Sequence, residues 1–150
     1  MGVYKTHWTS VFAFARVQAS LIATRLALSA PPVINLDAHA QAVEDLPLGD
    51  FIGVGNFGFV ANSGKIYGCH ASFAASTYND PDLVRLTEMM DILVENLLPG
   101  TSIPLFSAPG VQSGWIVVAG TVPAEPADKD KVRSLQVITA HFQSGESGKV

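Results

Sequence analysis

The sequence predicts an α+β domain: an antiparallel or mixed sheet of two hairpins, with two helices packed on one face. Three observations predict it. Apolar residues recur at three- and four-residue spacing over 9–29 and again over 83–97, the period of a helix. They alternate with period two over 51–60, 65–77, 115–122 and 132–142, the period of a strand. Proline and glycine punctuate these segments into the order helix, strand pair, helix, strand pair.

The first helix is expected to run to Ser29 from Thr9 or Ser10, whose hydroxyls suit a cap. Phe14, Val17, Leu21 and Leu28 form its stripe, widened by Phe12, Ala19, Ile22 and Leu26, with Arg16, Thr24 and Arg25 away from the centre. Pro31-Pro32 stops it, because proline lacks an amide hydrogen and excludes helical geometry from the residue before it. Residues 33–49 read as a mostly polar connector, with room for a short helical piece at Asp37–Glu44. The first hairpin follows. Phe51, Gly53, Gly55, Phe57 and Phe59 share one face of its outgoing strand; Ile52, Val54, Asn56, Gly58 and Val60 share the other. Asn62-Ser63-Gly64 supplies the turn. The return strand runs from Lys65 to about Thr77, with Tyr67, Cys69, Ala71, Phe73 and Ala75 on one face.

Asn79-Asp80-Pro81-Asp82 starts the second helix. Asp80 caps it, Pro81 takes the first helical position, and Asp82 complements the positive end of the dipole. Leu83, Leu86, Met90, Leu93 and Leu97 make its apolar stripe; Glu88, Asp91 and Glu95 lie on the outer face, and Pro99-Gly100 ends it. Residues 101–113, with Pro104 and Pro109, read as an extended loop. Trp115–Val122 and Val132–Phe142 form the second hairpin around an exposed, proline- and charge-rich loop at 123–131. The organisation is one α+β domain over 1–142 and a C-terminal tail over 143–150.

Of the 150 residues 48% are hydrophobic and 15% charged, against the ~25% charged of a typical soluble domain. Such a chain fills a sizeable core and has apolar surface left for other subunits. A net charge of −4 argues against a surface that wraps nucleic acid, which needs a clustered basic face. The single cysteine, Cys69, permits no internal disulfide and suits a reducing compartment. Val11–Ala30 is apolar enough to raise a membrane question, but Arg16 and Arg25 interrupt it, each costing about 2.5–3.5 kcal/mol near a bilayer centre. A signal peptide cleaved after Ser29 or Ala30 fits poorly, since Val17–Thr24 is short and holds Gln18 and Ser20. The pattern from Gly2 to Thr6 also fits N-myristoylation, a short match that arises often by chance. The cytosol is the expected compartment.

Gly53–Val60 spells G-x-G-x-x-G-x-V, the glycine loop that covers nucleotide phosphates in protein kinases. The rest of that machinery is missing: no V-A-I-K, no H-R-D-L-x-x-x-N and no D-F-G. A dinucleotide site fails too, because its glycines open a helix and these run towards a turn. The glycines read instead as close-approach or bulge positions in a strand. Cys69 and His70 are neighbours, but successive strand residues point to opposite faces, so they cannot pair as nucleophile and base. His141 approaching Cys69 through sheet pairing is the remaining route to an activated thiol; otherwise Cys69 is a small core residue. His7, His39, His70 and His141 show no metal-ligand spacing. Asp80 and Asp82 are explained by capping, and Met89 and Met90 by core packing. Trp8 and Trp115 read as packing anchors, with Trp8, ahead of its helix, alternatively an interface anchor. No catalytic, cofactor-binding or metal-binding residue is assigned, and no enzymatic activity or cofactor is expected.

The pieces Thr9–Ser29, Phe51–Thr77, Asp80-Pro81-Asp82-Leu83 through Leu98, and Trp115–Phe142 ending in Leu135-Gln-Val-Ile-Thr-Ala-His-Phe cover nearly the whole chain. In their order and lengths the chain resembles the tail terminator (tail completion) proteins of long-tailed bacteriophages. The resemblance implies a virion structural protein: a homo-oligomeric ring, typically a hexamer, that caps the tail tube and joins it to the head connector. Its implied partners are its own copies, the tail tube protein and the head-tail connector protein. Its implied places are the virion and, during assembly, the host cytoplasm. DNA would pass through the lumen without specific binding, helped by acidic residues facing inward, either Glu88, Asp91 and Glu95 or Glu125, Asp128 and Asp130. Two alternatives stand beside it. One is another phage neck, connector or tail-tube ring protein; the other is a small α+β enzyme or ligand-binding module using the Gly53–Gly58 loop or Cys69.

Overall fold

A computed structural model gives the fold, and it describes residues 2–38, 47–62, 66–108, 110–122, 128–130 and 132–144. In chain order the elements are α1 (Val3–Leu26), β1 (Val33–Asn35), β2 (Phe51–Asn62), β3 (Ile66–Tyr78), α2 (Val84–Glu95), β4 (Ser102–Ala108), β5 (Val111–Val122), β6 (Asp128–Asp130) and β7 (Arg133–Ser144). The class is α+β, as the sequence predicts. The sheet is larger than two hairpins: its order is β1-β2-β3-β7-β5-β4, with β6 also paired to β7. Both expected pairs are present, β2 with β3 and β5 with β7. They are fused by β3 and β7, in antiparallel register from Tyr67↔Ser144 to Tyr78↔Arg133.

Three strands fall where the sequence suggests none. β1 lies in the polar connector, pairs parallel with β2, and is followed by a turn at 36–38. The helical piece expected at Asp37–Glu44 therefore does not start at Asp37; its remainder, like the Ser63-Gly64 part of the first turn, lies outside the described residues. β4 occupies most of the supposed loop 101–113, and Pro104 does not prevent it, because β4 ends the sheet. Proline cannot donate to a ladder but is tolerated on an edge. β6 takes the far part of the 123–131 segment.

α1 begins at Val3, six residues earlier than predicted, after an extended Gly2. Ser10 does not cap it. The Ser10 hydroxyl donates back to the Thr6 carbonyl (2.7 Å) and accepts the Phe106 amide of β4 (2.9 Å), tying helix to edge strand. That contact helps choose the buried face: His7, Ser10, Val11, Phe14, Ala15, Gln18 and Ile22 turn inward, while Val17, Leu21 and Leu28 are exposed. The helix ends at Leu26, before the prolines, with Ala27 in the left-handed region (φ 54°).

α2 starts at Val84 rather than at Pro81. Asp80 still caps it, from a distance: its carboxylate accepts the amides of Leu86 (2.9 Å) and Arg85 (3.4 Å) and the Thr77 hydroxyl (3.0 Å). Pro81 and Asp82 form a turn, and Leu83 enters the helix in the left-handed region (φ 57°). Arg85 reaches back to Asp50 (2.9 and 3.2 Å) and to the Tyr78 carbonyl (2.6 Å), fixing the start of β2 to the end of β3.

Between the helices and the sheet sits one core. It holds Val11, Phe14 and Ile22 of α1, Leu86, Met89 and Leu93 of α2, and the inward residues of the strands, with Cys69, Ala71, Phe73 and Ala75 of β3 as expected. His7 closes one end. Its Nδ1–H donates to the Val3 carbonyl (2.8 Å), which leaves Nε2 to accept the Ser144 hydroxyl at the end of β7 (2.6 Å). Burial pulls the His7 pKa below its usual value, against the smaller opposing effect of the Val3 bond, so the ring is held neutral.

Candidate functional site

The glycine octet is strand, and each glycine has a steric reason. A Cβ on Gly53 would sit 2.4 Å from Leu36 Cδ1, and one on Gly55 would sit 3.1 Å from both Leu36 Cβ and Asp37 Oδ1. At Gly58 it would lie 2.2 Å from Cε1 and 2.6 Å from Nε2 of His70. Between Gly55 and Gly58 the register slips by one residue against β3, and Asn56 takes a left-handed φ of 52°. This β-bulge overturns the predicted face assignment beyond Gly55. Phe57 and Phe59 turn to the helix side, where Phe57 packs on Tyr4 and Trp8 (5.2 and 5.1 Å) and Phe59 on His7 and Tyr67 (5.3 and 5.8 Å). Gly58 joins Gly53 on the opposite face.

The bulge already holds an anion, and the chain supplies it. The Asp37 carboxylate accepts the Asn56 amide (2.8 Å) and the Phe57 amide (3.5 Å). Exposed amides in such a turn attract negative charge, and here a side chain from the turn after β1 fills the place a phosphate would take. Nothing in the motif spacing points to Asp37; its role depends on β1 pairing with β2.

Cys69 is buried, in register with Phe142 of β7. Burial pushes its thiol up to about 12, so almost no thiolate forms near neutrality. His141 does not approach it: the histidine pairs with His70, on the other face. Native protein is expected to resist a thiol-alkylating reagent at pH 7.5, with labelling appearing at the urea midpoint; rapid stoichiometric labelling without denaturant would contradict the burial.

The carboxylates divide. Asp80 is buried in its cap while Asp82 is exposed. Asp91 and Glu95 of α2 face Arg25 of α1, at 3.7 and 3.1 Å, and Glu88 is exposed. These pairs are solvent-screened, each worth about 0.5 kcal/mol or less. Glu125 lies outside the described residues, and Asp128 and Asp130 fall on β6 opposite Leu135 and Arg133. Among the described residues no group of three or more His, Cys, Asp or Glu gathers to hold a metal. None of the described helices is long and apolar enough to cross a membrane.

The least finished surface is along α1. Trp8 lies within the helix rather than ahead of it, half-buried against Phe12 and Phe57. Further on, Val17 and Leu21 are 55% and 41% exposed. Beside them a cleft of about 320 Å³ opens between α1 and β4, lined by Ala13, Phe14, Ile103 and Phe106. Gln18 also lines it, 2% exposed, and among the described residues its Oε1 has no hydrogen-bond partner. A buried amide oxygen without a donor costs about 1–3 kcal/mol. On the far side of β4, Trp115 of β5 is 46% exposed.

No family model matches the chain, and no curated protein matches it in sequence. A solved structure that bears no functional name matches it with a TM-score of 0.58 at 11% identity, over 93% of each chain. At that identity the likeness establishes a shared fold over nearly the whole length and nothing about activity.

Proposed function

We propose that this chain is a virion structural protein of the tail-terminator kind, assembling through its own copies into a closed ring that caps a tail tube and meets the head connector. The observation that carries the assembly reading is the α1–β4 surface. It combines an exposed apolar pair, Val17 and Leu21, an apolar cleft, a sheet edge, and the unpartnered Gln18 oxygen. A neighbouring copy that lays an apolar segment in the cleft and offers one donor to Gln18 answers all four at once. The kind of ring rests on the resemblance to tail terminators that the sequence suggests in its helix and hairpin segments and its length. A net charge of −4 suits a lumen through which DNA slides without sticking. The enzyme alternative draws less support from its two candidate sites, since the Asn56 and Phe57 amides of the octet meet the Asp37 carboxylate and the Cys69 thiol is buried.

Native mass spectrometry and electron microscopy of the purified chain test this. A monodisperse closed ring is expected. Leu21→Glu places a charge in the cleft wall and should shift the ring-to-monomer balance by about a hundredfold, on the order of 3 kcal/mol, with an unchanged circular dichroism spectrum. Open filaments would favour a tail-tube protein, and a wild-type chain that stays monomeric at 100 μM would sink both ring readings.

A further inference from the structure

The sheet face away from the helices carries a feature separate from the α1–β4 surface. His70 of β3 and His141 of β7 are directly opposite one another in the antiparallel register, their ring centroids 5.7 Å apart and inclined at 46°. Both open into a cleft of about 400 Å³ that Gly58, Gly68, Ala119 and Gln143 help to line. Gly58 keeps that cleft open for His70. The imidazole lies where a Cβ at position 58 would stand, so the bulge of β2 leaves room for the ring, which is partly buried. His141 is exposed. The next pair along the same face, Ser72 and Thr139, is joined hydroxyl to hydroxyl at 2.8 Å, which keeps the two strands in step beneath the histidines.

We propose that His70 and His141 form a two-imidazole chelate for a divalent transition-metal ion. The geometry suits one. A coordinating imidazole nitrogen lies about 2.0–2.1 Å from such an ion, which puts each ring centroid roughly 3.2 Å from it. Two rings around a near-tetrahedral centre are then roughly 5.2 Å apart, within a small side-chain rotation of the observed spacing. Neutral imidazole is a ligand for copper, nickel and zinc and a poor one for magnesium or calcium. With no third His, Cys, Asp or Glu in the group among the described residues, the remaining coordination positions belong to water or to an incoming ligand. The ion is therefore exchangeable and does not hold the fold together. Gly58 acquires a second role in this light: a side chain there would displace the His70 ring.

The test is titration of the full chain at pH 7.5 with copper(II), nickel(II) and zinc(II) separately, followed by calorimetry and by the imidazole resonances. One ion per chain is expected to bind saturably, copper(II) tightest in keeping with the usual order for nitrogen ligands, with His70 and His141 responding together. His70→Gln and His141→Gln should each weaken binding at least tenfold. Because His141 is exposed, His141→Gln should melt with the wild type, separating ligand loss from unfolding. Absence of saturable binding up to 1 mM zinc(II), or a loss smaller than tenfold in His141→Gln, would overturn the proposal whether or not the chain forms rings.

Discussion

Replacing Phe73 with alanine is expected to destabilise the fold by about 3–5 kcal/mol. Phe73 is fully buried on β3, the strand by which the first hairpin pair joins β7 of the second, with Val54 beside it on β2 and Ile138 on β7. Its ring meets Phe14 of α1 edge-on at 5.4 Å and Phe142 of β7 at 6.4 Å, so one side chain joins helix and sheet. Truncation removes both aromatic contacts and leaves a void that rigid strands on either side cannot collapse into. For a chain of this size the loss corresponds to a melting temperature lower by about 8–16 °C, against a total stability typically of 5–15 kcal/mol. Phe73→Leu keeps most of the volume and should cost about 1.5 kcal/mol. Urea midpoints measured at constant slope check the ranking. Equal losses in the two variants would mean that the ring's shape, rather than the cavity, sets the cost.

Phe73 also shows which parts of the fold were legible in the sequence. The β3 face of Cys69, Ala71, Phe73 and Ala75 follows from strict alternation, and it is the core face in the structure. Where the pattern does not discriminate, prediction failed for physical reasons. Polar and apolar residues are mixed around α1, with Thr6, His7, Ser10 and Gln18 buried, so periodicity alone cannot select a face. The Ser10–Phe106 bond to β4, between residues far apart in sequence, turns Gln18 inward and Val17 and Leu21 outward. The faces of β2 are readable up to Gly55, where one extra residue in the bulge reverses everything after it. Pro104 disguises an edge strand as a loop.

The candidate sites divide in the same way. That the glycines serve close approach was readable from strand periodicity. Their partners were not, because Leu36, Asp37 and His70 come from β3 and the turn after β1. The histidine pair depends wholly on β3–β7 register, a non-local quantity: His70 and His141 show no spacing signal and become neighbours only when the two hairpins are fused.

Asp80→Ala should be the most damaging substitution of a charged residue, at about 3 kcal/mol. Asp80 is 5% exposed and serves three donors at once: the Leu86 amide, the Arg85 amide and the Thr77 hydroxyl. A helix cap is worth about 1 kcal/mol and a bond to a buried charged acceptor about 1.5–3 kcal/mol. Alanine leaves the Leu86 amide and the Thr77 hydroxyl without their acceptor in a buried setting. It also removes the anchor that lets Leu83 enter α2 with a left-handed backbone. The ionisation of Asp80 gives the prediction a second arm. Burial alone would raise its pKa, but the bonds from Leu86, Thr77 and Arg85, together with the Arg85 charge, more than offset it and hold the carboxyl below its usual value. The unfolded chain therefore takes up this proton first as the solution is acidified. The stabilisation is complete above the unfolded value near 3.8 and is lost as pH falls through the folded value. Urea unfolding followed from pH 6 to pH 2.5 should show wild type and Asp80→Ala converging at the acid end, with a shallower pH slope in the variant. Asp80→Asn retains one acceptor oxygen and should fall between them at neutral pH. Parallel acid limits, offset by the same amount throughout, would show that the carboxylate's charge contributes nothing and that the cap acts through shape alone.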